Sequence, residues 1–333
     1  MSLRLKLIAG LLLVLVLVTV FLLNGYYGKI NLENRTVTVI IKEGDSFSGV
    51  AEKLLDEGVV RSRIMLSFPA RLREIDRKLT PGRYDFTGNN SCQSVLDRLE
   101  HADYLRIRVT IYEGAPIWRV ASILAQQMET DSTAVMALND DSAFLASMNL
   151  PYLEGYLFPQ TYFFPWGTPL RDMVGDMVAM FHSQTDTVWS SKVPNDLSIE
   201  EVVILASIVE AEAFIDDEKP AIASVYHNRI RKGMKLDADP TVIYGLGGLD
   251  RPLNKRDLRT TTPFNTYRRR GLPPTPINSP GLAAIRAVLN PDTSDYLFFV
   301  ADGTGRHRFS RTNAEHNRAR FEIKRKMRQA QEK

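Results

Sequence analysis

The stretch SIEEVVILASIVEAEA, residues 198–213, decides the reading of this chain. Ser198 followed by Glu201 is a capping-box pattern, and Ile199 opens a strongly apolar run, so a helix is expected to start there and continue through LASIVEAEA. Two acids stand near its end. Glu210 and Glu212 are two residues apart, roughly 200° around a helix, so they cannot both point into one cleft. Glu212 lies in phase with Leu205, Ile208 and Val209. A carboxyl on an apolar face is where burial raises the pKa and keeps the proton that a general acid must donate. Glu210 shares a face with Val203 and Ala206, so phase separates the two acids only weakly, and a solvated helix end would explain either.

Working outward, a second helix is predicted over Pro220–Lys232, with Asp216, Asp217 and Glu218 as acids at its start and Gly233 as terminator. Its inner Asn228 and Arg229 are costly to bury without partners, which turns them toward polar ligands or the loop that follows. That loop, LDADPTVIYG from Leu236 to Gly245, carries Asp237 and Asp239 before Pro240. Lacking a His or a third acid in register, it makes a poor metal site, and Asp239 reads better as a turn-forming or substrate-orienting residue. No metal and no cofactor is expected.

Upstream, Leu7 to Gly28 is free of charge and long enough as a helix to cross a hydrocarbon core of about 30 Å. Arg4 and Lys6 precede it, which predicts a single-pass anchor with a cytoplasmic N-terminus and the rest of the chain outside the plasma (inner) membrane. A cleaved signal peptide is the rival, disfavoured because no small-x-small site follows and Asn24, Tyr26 and Tyr27 look like an interfacial belt. Next come a strand at Thr36–Ile41 and a helix around Val50, Ala51, Leu54 and Leu55. Glu43, Gly44, Val50, Ala51 and Leu54 recur as Glu113, Gly114, Val120, Ala121 and Leu124, two related strand-turn-helix pieces. With Pro81-Gly82-Arg83-Tyr84 leading back into a strand, the first piece resembles the βααβ modules of the LysM type that grip N-acetylglucosamine polymers; a purely structural βα unit is the alternative. EGYLFPQTYFF, Glu154 to Phe164, either lines a sugar cleft or forms a hydrophobic plug. Ser183 to Asn195 reads as a linker-like break.

Composition narrows the classes further. The chain has 333 residues, 44% of them apolar and 24% charged, ordinary for a globular protein of about two domains. A net charge of +3 gives no stripe of the kind nucleic-acid binders need, and no nucleic-acid partner is expected. Cys92 is the single cysteine, so no intrachain disulfide can form. The basic tail from Arg318 to Lys333 reads by default as a solvated helix, with contact to phospholipid headgroups as the alternative.

Several ordered blocks carry a family resemblance: ASIVEAE (Ala206 to Glu212), VYHNRI (Val225 to Ile230), GMKLDADPTVIYG (Gly233 to Gly245), FNTY (Phe264 to Tyr267), GLPPTPINSPG (Gly271 to Gly281), YLFFV (Tyr296 to Val300) and HN (His316, Asn317). With them the chain resembles the MltG, or YceG-like, endolytic murein transglycosylases. The resemblance implies an α+β fold: anchor (1–30), LysM-like module (31–102) and a mixed catalytic domain (103–333) with its acid on a helix. It implies peptidoglycan glycan strands as substrate, with cell-wall synthases (penicillin-binding proteins) as partners. It selects Glu212 as catalytic, leaves Glu210 in support, and places Asn228, Asp239, Thr241, Tyr244, Asn265 and Tyr267 in the substrate-binding cleft. Ala213, Phe264 and Thr275 depart from residues common in relatives without changing the acid, and Gln160 replaces an acid seen in some relatives, which speaks against a catalytic role there.

The implied reaction is intramolecular. Hydrolases usually need two carboxyls flanking the bond, whereas a lytic transglycosylase manages with one, because the 6-hydroxyl of the same N-acetylmuramic acid closes a 1,6-anhydro ring. The alternatives are a lysozyme-type muramidase using Glu212 with Asp237 or Asp239, and a non-catalytic membrane-anchored scaffold that binds peptidoglycan.

Overall fold

The structure is a computed structural model that describes residues 3–128, 131–189 and 193–331. It divides into two compact units, Met1–Arg108 with Phe163–Thr168, and Val109–Tyr162 with Pro169–Lys333. Architecture is mixed α+β.

In the first unit, helix α1 (Leu3–Tyr27) is followed by β1 (Ile30–Asn31), β2 (Val37–Ile41), α2 (Phe47–Asp56), α3 (Arg63–Leu72), β3 (Gly82–Phe86), β4 (Asn89–Asn90) and α4 (Cys92–Glu100). α1 is long and apolar enough to cross a membrane, with none of its hydrophobic window buried. β2 and β3 pair antiparallel, from Val37 opposite Phe86 to Ile41 opposite Gly82, so β2-α2-α3-β3 forms a βααβ unit. Alternation along β2 puts Val37, Val39 and Ile41 inside, where they meet Val50, Ala51 and Leu54 of α2, Leu66 and Ala70 of α3 and Val95, Leu96 and Leu99 of α4. Ser46, Ser62 and Ser91 cap α2, α3 and α4 with side-chain oxygens, satisfying first-turn amides that have no intrahelical partner.

Strand β5 (Arg106–Thr110) carries the chain into the second unit, and the repeated sequence takes the same form there. Gly44 and Gly114 both adopt positive φ, 84° and 75°, and both copies then enter helices whose Val-Ala-Leu positions are buried. The second copy's helix is α5 (Ile117–Met128), followed by α6 (Ser132–Asn139), α7 (Ser142–Ser147) and β6 (Thr161–Pro165). α8 (Leu170–Thr185) takes in Ser183–Thr185, which read as part of a linker, because Thr185 is fully buried and bonds back to Phe181 O. Residues 190–192 of that expected break lie outside the described residues.

The frame of the second unit is α9 (Ile199–Glu212), packed against α10 (Lys219–Arg231), α11 (Asp239–Gly245) and α12 (Leu282–Leu289). Val202 to Val209 are all buried, so α9 is a core helix apolar all round, not an amphipathic one. The capping box forms as the sequence predicts. Its one internal hydroxyl is used: Ser207 Oγ accepts from Ile277 N at 3.0 Å, while Ser207 O accepts from Asn278 Nδ2 at 2.9 Å, fixing the PPTPINSPG loop on α9. The antiparallel hairpin β7 (Phe298–Ala301) and β8 (His307–Ser310) and the helix α13 (Asn313–Gln331) complete the unit.

Candidate active site

Glu212 is the last residue of α9 and lines a cleft of about 550 Å³. That volume is ordinary for a ligand site, roughly 300–1,000 Å³. α10 supplies Tyr226, whose hydroxyl donates to Glu212 Oε1 at 2.9 Å, and Arg229, one turn further on. Burial pushes the Glu212 carboxyl up to about 7; the Tyr226 hydrogen bond and the Arg229 charge oppose the rise, and the Asp239 charge adds to it. A carboxyl so placed is protonated on a large fraction of molecules at neutral pH.

Arg229 holds the cleft's walls. Its Nε donates to Leu297 O at 2.6 Å and its Nη1 to Leu236 O at 2.7 Å and Asp237 Oδ2 at 3.4 Å, while its guanidinium lies 5.2 Å from the Phe298 ring centroid. One buried cation thereby joins the approach to β7 with the loop before α11. Asp239, read as a turn-forming or substrate-orienting residue, opens α11, because Pro240 fits a first helical turn that needs no proline N–H. Asp239 Oδ1 accepts from the Tyr267 hydroxyl at 2.6 Å. The opposite wall is α13, which sends Asn313, His316, Asn317 and Arg320 to the cleft. His316 stacks on Phe298 at 5.4 Å; burial, with the charges of Arg320 and Arg229, depresses its pKa, so it is neutral at pH 7.

Of the seven residues expected at the site, Glu212, Asp239 and Tyr267 meet in this cleft. The other four do not line it. Thr241 is fully buried, donating to Ala238 O at 2.7 Å and sharing a hydrogen bond with Thr266; Asn265 is fully buried, donating to Leu258 O and Thr260 O and accepting from Tyr267 N. Neither has a polar atom left for a sugar. Asn228 lines a separate depression and donates to Ser294 O and Tyr296 O, fastening the segment that leads to β7. Tyr244 turns away to Glu154, donating to Oε2 at 2.8 Å between Trp118 and Phe264. In all four the polar groups are engaged by backbone groups or side chains of the scaffold.

Glu210 is also committed to structure. Its Oε1 lies 2.9 Å from Lys219 Nζ and its Oε2 accepts from Gly281 N at 3.0 Å, with side chains 8% and 3% exposed for the acid and the lysine. Glu218, one of the acids at the helix start, makes no cap bond; it accepts instead from His307 N and Nδ1, tying β8 to the start of α10. Most of the aromatic block is core: Tyr156, Leu157, Phe158, Tyr162 and Phe164 are buried, a Cβ on Gly155 (φ 86°) would come within 2.5 Å of Pro276, and Phe163 alone among its aromatics is exposed, at 59%. Its buried part is a hydrophobic plug.

Sequence reasoning missed Tyr226, Asn313, Arg320 and Glu154. The spacing of Asn313, His316, Asn317 and Arg320, i, i+3, i+4 and i+7, marks one helix face and was available. Glu154 left no signal. It is buried at 3% exposure, accepts from Ile117 N through both oxygens at 3.1 Å, and thus serves as a remote cap for α5; burial pushes its carboxyl up to about 7. A larger cavity, about 990 Å³, lies in the first unit between Arg98, Tyr104, Arg106 and Phe163, where Arg98 is already paired with Asp103. Among the described residues no cluster of three His, Cys, Asp or Glu is placed to hold a metal ion.

Comparison with known proteins gives a consistent result. A family described as the YceG-like family matches residues 39–322. The endolytic murein transglycosylase of Bacillus subtilis (strain 168) is 32% identical over 321 residues, covering 88% of this chain and 88% of that protein. The endolytic murein transglycosylase of Streptococcus pneumoniae serotype 2 (strain D39) is 27% identical over 316 residues; the match covers 85% of this chain and spans 57% of the longer relative. The crystal structure of a yceG-like protein from Listeria monocytogenes superposes with a TM-score of 0.60 at 29% identity, over 86% of this chain and 99% of that one.

Proposed function

The chain belongs to the YceG-like family, and we propose that Glu212 is the acid and base with which it cuts murein glycan strands. It is an endolytic murein transglycosylase, a lyase acting within peptidoglycan strands. Protonated Glu212 gives its proton to the oxygen of the bond between N-acetylmuramic acid and N-acetylglucosamine, and the C1–O bond breaks. The carboxylate left behind takes the proton of the 6-hydroxyl on the same muramic acid as that oxygen bonds to C1. A 1,6-anhydro end and a free N-acetylglucosamine hydroxyl result, with no water consumed and Glu212 returned to its starting state. Tethering of the nucleophile replaces a bimolecular step, and a group titrating near 7 serves in both directions.

The observation that carries this reading is the half-buried Glu212 carboxyl, raised to about 7 in the cleft and held by Tyr226. A muramidase would need a second free carboxylate. Asp237 and Asp239 line the same cleft, but Asp237 faces Arg229 and Asp239 accepts from Tyr267. Tyr267 and Asp239 sit where they can orient sugar hydroxyls. Mass spectrometry of products from intact glycan strands tests the chemistry: anhydro ends are one water lighter than hydrolytic ends, and hydrolytic ends alone would overturn it.

In the same reading α1 spans the plasma (inner) membrane once, with its N-terminus in the cytoplasm, and keeps the cleft on the side where peptidoglycan lies. The βααβ unit grips glycan in the manner of a LysM module, and cell-wall synthases are the partners whose new strands it trims.

A further inference from the structure

Helix α3 turns apolar residues outward as well as inward. Leu66 and Ala70 are fully buried in the core of the first unit, whereas Ile64, Phe68 and Leu72 are 72%, 65% and 72% exposed. The exposed three fall at i, i+4 and i+8, one stripe on the side of the helix opposite the core. Arg71 borders the stripe and Arg61 stands just ahead of the helix, both exposed. Such a stripe, left open to water, asks for a cover.

The position of α3 relative to α1 says what the cover is. Arg61 Nη2 donates to Lys29 O at 3.1 Å, just past the end of α1. A Cβ on Gly25 would lie 3.1 Å from Met65 Cγ, in the first turn of α3. Arg73, immediately after α3, reaches the Tyr26 hydroxyl. Residues before, at the start of and after α3 thus all meet residues 25–29, so α3 crosses the end of α1 and does not run alongside it. Resting on the reading of α1 as a membrane span, this puts α3 at the level where the span leaves the hydrocarbon.

We propose that α3 is an interfacial helix, with Ile64, Phe68 and Leu72 seated in the headgroup–acyl boundary of the bilayer that α1 spans, and Arg61 and Arg71 beside anionic phosphates. An apolar stripe bordered by arginines, lying across the exit of a span, is the arrangement that enters this boundary. The bilayer then fixes the tilt of the first unit and not merely its distance, because a span alone leaves the unit free to swing about its exit.

The test uses the full chain in vesicles of phosphatidylcholine and phosphatidylglycerol, with an environment-sensitive fluorophore on a cysteine introduced by Phe68→Cys, Leu15→Cys or Glu43→Cys. Cys92, the native cysteine, is buried at 2% exposure and does not compete for the label. Leu15 is within the span, and Glu43 is exposed in the turn before α2. Brominated acyl chains should quench the label at 68 at least about threefold more than at 43, since an interfacial helix sits ~5–10 Å into the boundary. If the label at 15 is quenched while that at 68 behaves like that at 43, the proposal is overturned and the span stands. Protection at 68 from aqueous iodide without quenching by bromine would mean that protein covers the stripe, which also overturns it. No quenching at 15 removes the span, and the proposal with it.

Discussion

Replacing Tyr226 by Phe removes a single hydroxyl, and the structure says what should follow. That hydroxyl donates to Glu212 Oε1 at 2.9 Å, and Tyr226 is 1% exposed, so the bond is made out of water. It favours the carboxylate and holds the Glu212 pKa below the level that burial and the Asp239 charge would set. A hydrogen bond to a charged group contributes about 1.5–3 kcal/mol, and 1.36 kcal/mol corresponds to one pKa unit, so the Glu212 pKa should rise from about 7 to roughly 8–9. The acid acts in its protonated form. The limb of the kcat/KM profile that falls with rising pH should therefore move from near 7 to roughly 8–9, with activity at pH 7 changed only a few-fold. The ring keeps its contact with Phe299, at 5.9 Å between centroids, so the fold is retained. Initial rates of anhydro-end release from purified strands, measured from pH 5 to 10, give the profile. A limb that stays in place or moves to lower pH would refute the reasoning. So would a loss of more than about 10² at every pH, which would make Tyr226 itself the proton donor.

Two further outcomes follow from the buried acids. Glu210→Gln leaves Lys219, 3% exposed, facing only the exposed Asp216 and the more distant Glu113, so about 3 kcal/mol of stability and roughly 6–12 °C in Tm should be lost while the folded fraction keeps its activity; an inactive but stable variant would reverse the roles of the two acids. For Glu154 the sign runs opposite to that of a paired carboxylate: its folded pKa of about 7 exceeds the ordinary 4.5, so the folded chain holds a proton that the unfolded chain releases, and stability falls as pH rises from 4.5 through 7. Glu154→Gln should lose less stability over that window, gaining up to about 3 kcal/mol on the wild type between pH 5 and 8 in denaturant unfolding, whereas a constant difference would show that Glu154 does not titrate there.

Local chemistry was legible in the sequence. The capping box at Ser198 and Glu201, the repeated Glu-Gly and Val-Ala-Leu positions and the uncharged run of α1 are short-range signals, and the fold repeats them. Long-range partners were not. Asn228 and Tyr267 stand in similar motif blocks, but one is spent on carbonyls more than sixty residues away and the other faces the cleft, and only tertiary packing separates them. The two acids of α9 differ in the same way: helical phase barely distinguishes them, whereas Lys219 and Gly281 claim Glu210 and leave Glu212 to the cleft. Proline signals a turn and a helix start equally well, and at Asp239 it starts α11. The tail from Arg318 read as solvated for a simpler reason, its high charge, which hides Arg320 at the end of a cleft-facing stripe begun by Asn313, His316 and Asn317.

The central claim is that one proton on Glu212 drives both halves of the reaction. Glu212→Gln keeps the size of the side chain and an acceptor for Tyr226 but can neither give nor take that proton, so release of 1,6-anhydro ends from polymeric strands should fall by roughly 10²–10⁴-fold or more, with the circular dichroism spectrum unchanged. A folded Gln variant that still releases anhydro ends at close to the wild-type rate would contradict the account.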